Sequence, residues 1–94
     1  MWTLYPAQNP ETPARTIDGV AIVITPHDSC IHELSETATY LWDRADGTRS
    51  LDALLNEMLE EFDVDEATLR TDALAFVEDA VAHGLLVLHE RPSA

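Results

Sequence analysis

Residues 29–42 read SCIHELSETATYLW, and the hydrophobic pattern changes in the middle of this stretch. The first six residues alternate between polar and apolar, which is typical of a half-buried strand. From Ser35 onward the spacing is helical, with Ala38, Leu41 and Trp42 on one face. The hydroxyl of Ser35 can accept a hydrogen bond from the first free N–H groups of that helix. We therefore predict a strand that leads directly into its own helix.

Two earlier segments complete a small sheet. Asp18-Gly19 separates Arg15-Thr16-Ile17 from VAIVIT at 20–25. An Asp-Gly pair between β-branched runs favours a type I′ hairpin. Because the second run is apolar nearly throughout, we predict that it is the central strand and is covered on both faces. Pro26-His27-Asp28 predicts the turn to the strand at 29–34, which then lies at an edge.

Three helices are expected after the sheet. The first runs from about Glu36 to Arg44. Ser50 or Thr48 can cap the second, which carries an uninterrupted apolar stripe. Asp65 can cap the third, which ends near His83-Gly84 and is followed by an extended segment at 85–89. The fold class predicted from this order is α+β, a small winged helix-turn-helix-like domain with a three-stranded antiparallel sheet followed by three helices.

The 94 residues suffice for a single domain. We expect a domain over 15–89 and a short tail over 90–94. Three prolines in residues 1–14 predict a flexible N-terminal arm. Trp2, Leu4 and Tyr5 leave a second interpretation open, in which the arm docks on this chain or on a neighbouring copy, so a homodimer is possible.

The net charge is −13, from 18 acidic residues and five arginines, and the sequence contains no lysine. Nucleic acid and anionic membrane surfaces gain affinity from cationic side chains, so both are poor partners. The sequence has no apolar stretch typical of a signal peptide or a membrane span and has a single cysteine. These features predict a cytoplasmic location.

The sequence offers little for catalysis. Cys30 and His32 lie two apart on one strand, with His27 nearby, but a metal centre needs three or four converging ligands and a nucleophile needs an oriented base. A buried thiol and a hydrogen-bonded histidine are the favoured interpretation. We therefore expect no catalytic residues, no metal, no cofactor and no enzymatic activity.

One family matches these patterns. IHELSETA at 31–38, followed by Leu41-Trp42 and Asp46-Gly47, resembles the strand-to-helix signature of the PqqD-like family, the peptide-binding domains also called RiPP recognition elements. DALAFV at 72–77 and GLL at 84–86 are similar to the family's last helix and its exit. One departure is Ser35, where the family usually has Asn; both residues cap helices well.

The resemblance implies a non-catalytic domain that binds the leader of a ribosomally made precursor peptide. Such a domain presents the peptide to a maturation enzyme, often of the radical SAM type. The leader adds as a strand beside residues 29–34, against the third helix. Asp72, Glu33 and Asp79 are expected at the rim, which favours an apolar leader with some positive charge. The predicted peptide-binding residues are Ser29, Cys30, Ile31, His32, Glu33, Leu34, Leu69, Asp72, Ala73 and Phe76.

Two other functions remain open at this point. One is a structural subunit that binds the folded surface of another protein. The other is a winged-helix DNA-binding regulator, which the charge disfavours because Arg70 is the only cation on the third helix before His83.

Overall fold

A computed structural model of the chain describes residues 2–25 and 29–92, so the turn predicted at Pro26-His27-Asp28 lies outside the described residues. In the described residues, four strands are followed by three helices and a last strand: β1 Tyr5–Gln8, β2 Ala14–Ile17, β3 Val20–Thr25, β4 Cys30–Glu33, α1 Glu36–Arg44, α2 Leu51–Glu61, α3 Glu66–Ala82 and β5 Leu86–His89.

The larger sheet is antiparallel and has the order β2-β3-β4. Asp18 and Gly19 connect β2 to β3 with φ angles of 52° and 80°, the positive values that a type I′ turn requires. The predicted hairpin, the three-stranded sheet and the α+β class are therefore confirmed.

Strand β3 is central, but it is covered on one face only. Ala21, Val23 and Thr25 are fully buried on the side that packs against the helices, whereas Ile24 on the opposite side is 40% exposed. The prediction that both faces are covered was wrong. A short apolar run does not show on how many sides a strand is covered, and here α1, α2 and α3 share one core with the inner face of β3. We call the uncovered side the outer face.

The helices begin where the sequence places their caps. Side-chain oxygens of Ser35, Ser50 and Asp65 each accept a hydrogen bond from the backbone N–H three residues ahead, at 3.2 Å. Helix α2 ends at Glu61, so Phe62 lies one residue beyond the helix while still packing against the core. None of the described helices is both long enough and apolar enough to cross a membrane.

A second sheet joins the two ends of the chain. Strand β1 pairs antiparallel with β5, in register Tyr5 with His89 and Gln8 with Leu86. The backbone N–H groups of Leu51 and Asp52, at the start of α2, donate to carbonyl oxygens in the segment before β1. Of the two interpretations of residues 1–14 given above, these contacts match an arm that docks on its own chain. The predicted extended segment near the C-terminus is strand β5.

The core lies between the inner face of the larger sheet and the three helices. Its largest fully buried side chains come mainly from the helices and from the start of β5. The core members with at most 2% exposure include Val23, Leu41, Trp42, Leu51, Leu54, Leu55, Met58, Leu69, Val77, Leu85 and Leu86.

Candidate functional site

Strand β4 lies at an open edge of the sheet. It pairs with β3 on one side, and within residues 2–25 and 29–92 no strand pairs with its other side. An unpaired edge presents main-chain donors and acceptors to any extended chain that reaches it. The edge predicted from the sequence is therefore present in the fold.

The register shows which main-chain groups face outward from that edge. The N–H of Leu34 donates to the carbonyl of Ala21 at 2.9 Å. In an antiparallel pair the main-chain groups of alternate residues face the partner strand. His32 and Cys30 therefore direct their N–H and C=O groups toward β3, and Ile31 and Glu33 direct theirs toward the open side.

A groove begins at Ser35, just after β4, and lies between α1 and helix α3. It encloses about 200 Å³. Leu41 and Met58 form its apolar floor, and the hydroxyl groups of Ser35 and Thr37 stand at the end nearest β4. The lining residues are Ser35, Thr37, Ala38, Leu41, Met58, Leu69, Asp72, Ala73 and Phe76.

All four helix residues in the predicted site line this groove. Their spacing of three, four and seven residues places them on one face of α3. Leu69 and Ala73 are 2% and 5% exposed and form the wall, Phe76 is half-buried, and the carboxylate of Asp72 is exposed at the rim. The groove is thus apolar inside, with one acidic group beside its opening.

The six predicted strand residues are distributed over two faces. Leu34 is buried in the core, and His32 is half-buried, with its ring centroid 5.2 Å from that of His83 in the turn after α3. Cys30 is exposed, which corrects the expectation of a buried thiol. Ser29 precedes the strand with a φ angle of 56°.

Ile31 and Glu33 point away from the groove. Both pair across the sheet with residues of the outer face, Ile24 and Ile22, and Ile31 is 70% exposed. Glu33 therefore does not stand at the rim of the groove, because the side chains of a strand alternate between faces. Asp79 does not line the groove either: its carboxylate lies 3.3 Å from Nδ1 of His83. Any contribution of Ile31 and Glu33 to the groove side comes from their main-chain groups.

Five residues of the groove were not among the predicted site residues: Ser35, Thr37, Ala38, Leu41 and Met58. Ser35 carried a usable signal, since a helix cap directly after an edge strand must lie beside that edge. Leu41 and Met58 carried none. Both belong to ordinary apolar stripes, and only the packing of α1 and α2 leaves part of each facing a gap.

The cation of helix α3 is already paired. The side chain of Arg70 donates to Glu66 at 2.9 Å and to Asp52 at 3.4 Å, and its guanidinium lies 4.9 Å from the ring centre of Trp2. The hydrogen bond to Glu66, followed by attraction to the same carboxylate, raises the pKa of Arg70 above its usual value. Among the described residues that line the groove, Asp72 is the only one with a charged side chain.

The described residues contain no group of three or more histidine, cysteine or acidic side chains arranged to hold a metal ion. His32 and His83 lie close to each other, but Nδ1 of His83 already contacts Asp79. The geometry of the site therefore consists of a strand edge and an apolar groove.

Together these features define a class: a small α+β domain with an open strand edge next to a helix-lined groove. The family described as Coenzyme PQQ synthesis protein D (PqqD) matches residues 21–86, and the chain belongs to this family. The resemblance drawn from the sequence is therefore confirmed.

One solved structure shares the fold. It is described as "TbiB1 in Complex with the TbiA(beta) Leader Peptide", with a TM-score of 0.74 and 15% sequence identity over 85% of this chain and 93% of that chain. At this identity the likeness concerns the fold. Comparison with curated protein sequences finds no significant match.

Proposed function

We propose that this protein is a peptide-binding module that holds the leader of a ribosomally made precursor peptide at the open edge of β4. The observation that carries the proposal is the combination of an unpaired strand edge at β4 with an apolar groove that begins at Ser35, just after this strand. Membership of the PqqD family supports it. So does the structural neighbour, which was solved with a leader peptide.

The leader binds by adding a fourth strand to the sheet. The outward N–H and C=O groups of Ile31 and Glu33 supply main-chain hydrogen bonds. These bonds contribute affinity that does not depend on the side chains of the leader. Side chains on one face of the leader strand then enter the groove against Leu69, Ala73 and Phe76. A groove of about 200 Å³ fits one or two apolar side chains and supplies the selectivity.

The charge of the protein selects the complementary charge in the leader. Asp72 stands at the groove opening, and the molecule as a whole carries −13. A leader with an apolar anchor and a nearby Lys or Arg fits this surface. Complementary charge mainly raises the association rate and fixes the register of the bound strand.

The module itself is not an enzyme and needs no cofactor. It presents the bound precursor to a cytoplasmic maturation enzyme, of the radical SAM type in our proposal. Because strand addition binds only the leader, the remainder of the precursor stays accessible to the partner enzyme.

A proline substitution tests the binding mode. Ile31→Pro removes an N–H that faces the open edge and leaves the bonds to β3 in place. Thr16→Pro is the matched control, because the register of β2 with β3 directs the Thr16 N–H to the opposite open edge of the same sheet. The probe is a synthetic peptide that spans the leader of a short precursor encoded beside this chain, followed by backbone amide shifts and by calorimetry.

We expect shifts concentrated in residues 29–34 and 69–81. Ile31→Pro should weaken binding at least tenfold, and Thr16→Pro should leave affinity within about twofold. The proposal is wrong if every such peptide leaves both segments unshifted, or if the two proline variants bind equally well.

A further inference from the structure

The outer face of the larger sheet is apolar and exposed. Ile17 is 48%, Ile24 is 40% and Ile31 is 70% exposed, and Ile22 between them is half-buried. Together with Pro13 and Ala14, three of these residues and Arg15 line a shallow depression of about 320 Å³. Contiguous apolar surface of this kind marks a place where another molecule binds.

The charges on this face are balanced, unlike those of the molecule as a whole. Among the described strand residues, alternation places two charged side chains on the outer face, Arg15 and Glu33. They stand in one row on either side of Ile22, because Ile22 pairs with Arg15 on β2 and with Glu33 on β4. Neither takes part in an ion pair among the described residues.

We propose that the outer face is a self-association surface, covered by a second copy of this chain in a two-fold symmetric dimer. A two-fold axis that is parallel to the strands and lies between the two sheets, over β3 of each copy, stacks the sheets face to face. Ile22 and Ile24 then meet their counterparts, and Arg15 of each copy faces Glu33 of the other. A surface that complements itself in this way meets the requirement of a two-fold interface.

The symmetry of the row formed by Arg15, Ile22 and Glu33 indicates that the molecule bound there is a second copy of this chain. A cation and an anion at equal distances on either side of an apolar centre match an inverted copy of the same row. The twist of two such sheets also permits face-to-face packing at about −30°. Docking through the N-terminal arm has no comparable support, because β1 is already paired with β5 of its own chain.

The dimer is weak, and added salt strengthens it. The patch covers roughly a few hundred Å² per copy, below the ~800 Å² per partner of a standard interface. Two molecules of charge −13 also repel each other. Added salt screens that repulsion and strengthens apolar contact, so association increases with NaCl concentration.

Face-to-face stacking leaves the open edge of β4 accessible, so the dimer does not compete with a peptide at that edge. This inference therefore stands apart from the proposed function. Self-association by edge-to-edge pairing of two β4 strands would instead block the peptide and would not depend on Arg15.

Analytical ultracentrifugation of the full chain, from 10 µM to 1 mM protein at 0.1 and 0.5 M NaCl, tests the proposal. We expect concentration-dependent dimers that are favoured at 0.5 M. Ile24→Ser should weaken association at least tenfold, whereas Val64→Ser should leave it unchanged, since Val64 is 42% exposed in the α2–α3 connection. Circular dichroism confirms that each variant is folded.

A charge reversal tests the geometry. Arg15→Glu should weaken the dimer about tenfold, and the double variant Arg15→Glu with Glu33→Arg should restore it to within about threefold. A chain that stays monomeric throughout overturns the proposal. So does an equal effect of Ile24→Ser and Val64→Ser, a failure of the double variant to restore association, or a dimer that leader peptide dissociates.

Discussion

In Ile31 and Glu33 the side chain and the main-chain groups of the same residue point to different places. Period-two alternation predicts from the sequence that both side chains share a face with Ser29, opposite His32 and Leu34. The expectation that Glu33 rims the groove overlooked that alternation. The register with β3 was needed to show that the main-chain groups of both residues face the open edge. Alternation can be read from sequence, but register cannot.

The helix-capping residues were predictable one by one. A serine or aspartate before an apolar helical stripe bonds locally, so its partner lies three residues away whatever the rest of the chain does. Ser35, Ser50 and Asp65 all make the expected hydrogen bond. Met58 is the contrary case, since nothing local distinguishes a stripe residue that faces a gap from one that faces a neighbour.

Hydrogen bonds from Thr48 stabilise the ionised carboxylate of Asp46. Its carboxylate accepts hydrogen bonds from the hydroxyl and then from the backbone N–H of Thr48, and these bonds hold the pKa of Asp46 below the ordinary 3.8. Thr48→Val removes the hydroxyl, so we expect the pKa of Asp46 to rise toward its ordinary value. Carboxyl NMR titration measures the change, and Thr16→Val, on exposed β2, is the control.

The same substitution has a pH-dependent effect on stability. A carboxylate with a lowered pKa in the folded state contributes stability that is fully present above the unfolded value and is lost as pH falls through the folded value. Thr48→Val should therefore lower the free energy of unfolding at pH 7, and the difference from the original chain should shrink below about pH 4. Unchanged titration of Asp46 in the variant would contradict this account.

At the scale of elements, local signals located most of the fold and missed one sheet. The hairpin and the three helices follow from patterns within single segments. Strand β1 contains Pro6 and lies among further prolines, and its partner β5 is about 80 residues away in the chain. The apolar residues Trp2, Leu4 and Tyr5, before and at the start of β1, were visible in the sequence, but pairing of distant segments leaves no periodic signal.

Removal of β1 should destabilise the protein. Pro6 is buried, the side-chain amide of Gln8 donates to the carbonyl of Trp42 at 2.6 Å, and the carbonyl of Leu4 accepts from the N–H of Leu51. Deletion of residues 2–9 breaks all three contacts, so we expect a loss of ~2–4 kcal/mol in the free energy of unfolding. Urea denaturation followed by circular dichroism measures it.

Deletion of residues 91–94, which follow β5, serves as the control for chain length and should cost less than about 0.5 kcal/mol. Equal unfolding midpoints for the two deletions would mean that the β1–β5 sheet contributes nothing to stability. The slope of the urea transition should stay nearly constant in the control and fall slightly in the deletion of residues 2–9, because less surface is exposed on unfolding.

For the whole molecule, the sequence determines the net charge, and the fold determines how the charged side chains are distributed over the surface. The 18 acidic residues and five arginines give −13 whatever the structure. Among the described strand residues, the outer face carries one cation and one anion, while α2 and α3 carry many carboxylates. The helix side of the sheet, on which the groove lies, therefore carries more negative charge than the outer face, and a peptide that approaches it experiences a negative field over a longer range than any single contact.

This field predicts how leader binding responds to salt. With a synthetic leader that carries Lys or Arg, the association rate measured by stopped-flow fluorescence should fall several-fold between ~50 and 500 mM NaCl, because screening shortens the range of attraction. Asp72→Asn removes the charge at the groove opening and should lower the association rate about two- to threefold at low salt, with little change in the dissociation rate.

Glu60→Gln on the exposed face of α2 is the matched control, since it changes the total charge equally but lies away from the groove. If both variants slowed association to the same extent, the total charge would account for the attraction. A larger effect of Asp72→Asn would show that the charge beside the groove directs the peptide to the open edge of β4.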